Sequence, residues 1–78
     1  MSEKQNIVEL GSHVVVTDLE SKQEMSIRIV VAKEADVGRG KVSNVSPLGE
    51  ALLGKTPGSS VDVKTPAGAK SYKIMFVL

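Results

Sequence analysis

Side chains able to do chemistry are few in this sequence, and their spacing does not assemble a catalytic centre. His13 is the sole histidine and stands beside Ser12 in a β-branched stretch, where an imidazole is ordinarily a solvated side chain and not a general base. There is no cysteine, so a disulfide framework and thiolate chemistry are excluded, and one histidine leaves a zinc site short of ligands. Glu34 and Asp36 invite comparison with an Mg²⁺ pair, but next to Lys33 in a polar segment they read as a solvated turn. Gly38-Arg39-Gly40-Lys41 resembles a phosphate cradle only in composition. Such a loop must run from a strand into a helix N-terminus, and this one leads into a strand. Lys33, Arg39, Lys41 and Lys55 make a modest basic set, better suited to an acidic protein surface than to bases. No catalytic residue, metal ligand or cofactor is assigned.

Composition narrows the function classes further. The chain has 78 residues, enough for one domain and one small core. With 10 Lys+Arg against 9 Asp+Glu, the formal charge of +1 gives no electrostatic footprint for nucleic acid or an anionic membrane. Aromatics at 3% cannot build a base-stacking platform. Apolar runs are far too short for a membrane span, and the start Met1-Ser-Glu-Lys-Gln-Asn has no signal core and does not look like a tag. Together with the lack of cysteine, this fits a cytoplasmic protein. The expectation is a binding or regulatory domain.

The elements follow from periodicity. Residues 1–10 are expected to be a flexible tail and residues 11–78 the folded unit, whose start falls near Ile7 or Gly11. His13 to Leu19 suits a strand, and Glu20 to Gln23 a hairpin connection. Met25, Ile27, Ile29 and Val31 alternate with Ser26 and Arg28, which predicts a strand with one buried face. Lys33 to Gly40 reads as a loop, followed by a short strand from Lys41. Ser46-Pro47 suits a helix start, with the serine as cap and the proline in the first turn, and Gly54 suits its end. Leu48, Ala51, Leu52 and Leu53 form its apolar stripe. Thr56-Pro57-Gly58 reads as a turn, Ser60 to Thr65 as a strand with Val61 and Val63 inward, Pro66 to Ala69 as a hairpin. Ser71 to Leu78 reads as a last strand with Tyr72, Ile74 and Phe76 on one face. The sum is an α+β domain of four to five antiparallel strands and one short helix. Its final strand is apolar on both faces. Either the sheet curls to cover it, or Met75, Val77 and Val30 form a partner or self-association surface.

The stretch from Lys41 to Lys55, followed by Pro57 to Gly68, resembles the C-terminal domain of the bacterial Gre transcription elongation factors (GreA/GreB). Gly11 to Leu19 and Lys33 to Asp36 also align in order and spacing, so the resemblance covers nearly the whole chain. It implies an FKBP-like fold, a curled antiparallel sheet wrapped on one short helix. It also implies docking on RNA polymerase beside the secondary channel through the start of that helix, here Ser46 and Pro47. Val45, Leu48 and Gly49 join them by position. A rigid proline and a capped helix start would limit the ordering cost of such a contact.

Two departures from the family pattern shape the expected function. An Asn or Asp usually stands just before Ser-Pro, whereas this chain reads Asn44-Val45-Ser46-Pro47, which implies an altered or weaker contact. Gre factors also carry an N-terminal coiled coil whose acidic tip helps hold the catalytic Mg²⁺ for transcript cleavage. No heptads or hairpin acids occur in these 78 residues, so the expectation is polymerase binding without cleavage, in competition with full-length Gre factors. The protein is expected to be no enzyme, with no sequence-specific nucleic-acid contact, as a monomer or weak homodimer. An FKBP-like fold raises the question of prolyl isomerisation, but Tyr72 and Phe76 are the sole aromatics and read as core. The alternative to polymerase docking is a homo-oligomeric adaptor built on the C-terminal strand.

Overall fold

Alternating valines and isoleucines build five strands in this computed structural model, which describes residues 7–78. They are β1 (His13–Asp18), β2 (Glu24–Val30), β3 (Lys41–Ser43), β4 (Ser60–Thr65) and β5 (Gly68–Val77), with the helix α1 (Pro47–Leu52) between β3 and β4. The sheet order is β3-β2-β1-β5-β4. Its two edge strands are therefore β3 and β4, and α1 packs against both. That contact requires the sheet to curl, bringing its edges toward one helix. The expected curled α+β arrangement is the one observed.

One strand pairing differs from expectation. β1–β2, β1–β5 and β4–β5 are antiparallel, but β3 runs parallel to β2, pairing Ile29 with Val42. A parallel pair needs a crossover, and the segment between these strands supplies it as two 3-10 turns, Ala32–Glu34 and Val37–Arg39. The crossover also covers the β3 edge. The Asp36 and Lys41 amides each donate to the other's carbonyl at 2.9 Å. This blunts an edge that could otherwise recruit another strand. Gly40 has φ +76°, and a Cβ there would lie 2.9 Å from the Ser26 carbonyl oxygen, so the turn back into β3 depends on glycine.

The core is aliphatic: Val14, Val16, Ile27, Ile29, Val42, Leu52, Val61, Val63 and Ile74, with Tyr72 and Val77. Two sequence expectations change here. Phe76 was placed inward with Tyr72 and Ile74, yet it is 56% exposed, and Val77 is buried in its place. The cause is a bulge: Val16 pairs with Ile74 and Val15 with Phe76, so Met75 is an extra residue and the alternation flips. Val31 is exposed and Val30 buried, because β2 ends at Val30 and the chain turns into the crossover. The tail is expected over residues 1–10. Residues 1–6 lie outside the described residues, but Val8 is 1% exposed. Its N–H donates to the Lys55 carbonyl and its own carbonyl accepts from the Gly54 amide, both at 2.9 Å. Its partners lie far along the chain, beyond the reach of local periodicity.

Asp18 is the buried charged residue of the described set. Its carboxylate accepts from the Glu20 and Ser21 amides in the β1–β2 turn and faces the Lys70 ammonium at 3.2 Å. The Glu20 amide, foremost, holds its pKa below the ordinary aspartate value of 3.8, with Lys70 and Ser21 adding to this against the opposing pull of burial. The bond to Asp18 raises the Lys70 pKa in turn. A depressed carboxylate contributes stability above its unfolded pKa and loses it as pH falls through the folded one. Asp18→Asn should therefore lower the urea midpoint at pH 7, and the gap from the unmodified chain should shrink as the pH falls below the ordinary aspartate value of 3.8 and through the lowered one. A gap that stays constant with pH would contradict this role.

Candidate partner-docking site

The residues expected at the docking site, Val45, Ser46, Pro47, Leu48 and Gly49, occupy one loop-to-helix junction. The sequence places a cap before a proline, and the structure uses both. Ser46 is the N-cap in extended conformation, and its Oγ accepts from the Gly49 amide at 3.1 Å. Pro47 opens the helix, where its missing N–H costs nothing. The Ser46 hydroxyl also donates to the Ser43 carbonyl at 2.7 Å. Its proton and its capping lone pair are thus both committed inside the domain.

The five residues divide by exposure. Val45 is 65% exposed and Pro47 is exposed, whereas Ser46 and Leu48 are half-buried and Gly49 is buried. Gly49 sits so close to the end of β3 that a Cβ would fall 2.0 Å from the Ser43 carbonyl oxygen. Glycine at this position lets α1 lie directly on the strand that precedes it. The helix is anchored below by Leu52, which is fully buried, and leaves helical geometry at Leu53, one residue before Gly54 (φ +82°), whose amide donates to the Val8 carbonyl instead of to the helix. A helix of six residues would not persist alone. Its position is set by the β3 end, by Leu52 and by Val8.

The remaining sequence candidates do not converge on a site. The His13 Nε2 hydrogen-bonds the Ser26 Oγ across β1 and β2. Asp36 pairs with Arg39 at 3.5 Å on the exposed crossover. Among the described residues no group of three or more His, Cys, Asp or Glu could hold a metal ion. Tyr72 is buried while Phe76 faces outward, so the two aromatics do not line a common cavity. A cleft of about 260 Å³ beside Leu10, Gly11, Arg28, Val31 and Glu34 holds no nucleophile and is small for an organic ligand. Of the three residues expected to form an apolar C-terminal surface, Val30 and Val77 are buried and only Met75 is exposed. The exposed aromatic on that strand, Phe76, was missed, because a bulge has no signature in an unbroken apolar run.

Five curled strands closed by one short helix define the class, an α+β half-barrel domain. The chain belongs to the GreA/GreB family, since residues 3–78 match the family described as "Transcription elongation factor, GreA/GreB, C-term". It is 44% identical over 70 residues to transcription elongation factor GreA of Acidiphilium cryptum, covering 90% of this chain and 45% of that protein. To GreA of Thermotoga petrophila it is 43% identical over 77 residues, covering 99% of this chain and 49% of the other. Among solved structures, GreA factor homolog 1 (Gfh1) of Thermus thermophilus superposes with a TM-score of 0.82 at 30% identity, over all of this chain and 52% of that one. The GreA/GreB factor of Nitrosomonas europaea gives 0.77 at 27% identity, over 97% and 64%. The chain thus spans about half the length of the relatives it matches. No helix among the described residues is long and apolar enough to cross a membrane.

Proposed function

We propose that this domain binds RNA polymerase beside its secondary channel through the β3–α1 junction and regulates elongation without stimulating transcript cleavage itself. Family membership supports the partner. The observation that carries the site is the division of labour at the junction: Val45 and Pro47 present exposed surface on a backbone held by Ser46, Gly49 and the β3 end. A surface already held in place loses little conformational entropy on binding. In this reading these residues contribute docking and compete with intact Gre factors for the same rim.

Association with purified core polymerase tests the reading. Val45→Asp places a charge in the middle of the contact and should weaken binding at least tenfold, with circular dichroism unchanged. Added domain should also reduce cleavage stimulated by an intact Gre factor on backtracked complexes, and add none alone. Undiminished binding by Val45→Asp, or cleavage by the domain alone, would refute the respective half of the proposal.

A further inference from the structure

The side chain that positions the docking loop lies outside the five residues assigned to it. Ser43 ends β3, with its neighbour Val42 buried in the core. Its Oγ accepts from the Val45 amide at 3.1 Å, fixing the backbone of the residue with the most exposed apolar surface at the junction. Its carbonyl accepts from the Ser46 amide at 3.1 Å and from the Ser46 hydroxyl at 2.7 Å, and lies against the bare Cα of Gly49. All of these contacts converge on one residue, which is itself held in register with Val30 across the parallel β2–β3 pair.

We infer that Ser43 is the positioning residue of the docking surface, its hydroxyl setting the direction of Val45 while its carbonyl holds the helix cap. This rests on the docking reading above. The two functions are chemically separable. The carbonyl belongs to the backbone and survives any substitution, so the cap, the Gly49 contact and the fold remain when the side chain is shortened. Only the Val45 amide loses its acceptor. A serine oxygen accepting an amide two residues on is a local turn-forming bond, and threonine can make it equally well.

Ser43→Ala and Ser43→Thr in the full chain separate positioning from structure. In Ser43→Ala the Val45 amide should exchange with deuterium about three- to tenfold faster while the amides of Gly49 and Glu50 keep their rates, and polymerase affinity should fall by a similar factor. Ser43→Thr should restore both. Unchanged Val45 exchange in Ser43→Ala overturns the inference, and so does undiminished affinity in that variant when Val45→Asp does weaken binding. If Val45→Asp binds normally, the docking reading itself falls, and the positioning role with it.

Discussion

Gly49→Val should destabilise the domain by about 3 kcal/mol, toward the upper end of overpacking costs, because the obstacle is backbone. A Cβ would stand 2.0 Å from the Ser43 carbonyl oxygen, and neither partner can yield by rotating a side chain. The helix must lift from the end of β3, which also draws the Ser46 hydroxyl from the same carbonyl. Thermal melting should fall by more than about 10 °C for a domain of this size. A change of only one or two degrees would mean that α1 does not depend on this close approach. Because Val45 and Pro47 hang on the same junction, the docking proposed for it predicts weaker polymerase binding even at temperatures where the variant remains folded.

Leu52→Ala should cost about 2–5 kcal/mol, the range for emptying a filled aliphatic site. Leu52 is fully buried and is the buried apolar side chain by which α1 enters the core, so its loss opens a void between the helix and the curled sheet. The informative companion is Phe76→Ala. A larger side chain is removed, yet Phe76 is 56% exposed and lies outside the core cluster, so the cost should stay below about 1 kcal/mol. Chemical denaturation of both variants gives the comparison. A Phe76→Ala loss as large as that of Leu52→Ala would place the aromatic inward and remove the bulge at Met75.

What could be read from the chain was whatever depends on neighbours in sequence. β4 lies where Val61 and Val63 alternate with Asp62 and Lys64, and α1 begins at the Ser46-Pro47 pair that marks a helix start. Features set by distant partners were not legible. The apolar run Ile74-Met75-Phe76-Val77-Leu78 fits either face, and only the shifted pairing with Val15 and Val16 decides which side chains go in. The parallel placement of β3 was hidden because its partner strand is chosen by the covering crossover, not by its own three residues. At the junction, residue types pointed to the cap and the proline. Ser43 escaped notice because a serine at a strand end carries no signal until its carbonyl is seen to hold the following turn.

The pairing of β1 with β5 has a consequence for how the domain is made. Val14 pairs with Val77, and the Leu78 amide donates to the His13 carbonyl, so the first and last strands lie side by side within the sheet. During synthesis β1, β2 and β3 emerge early but have nothing on which to close, and β4 lacks the strand that joins it to them. The Val14 and Val16 side chains then wait uncovered until β5 is free to pair with β1. Closing so long a loop is slow compared with forming a hairpin, so the sheet stays open until β5 has emerged to join β4 to β1.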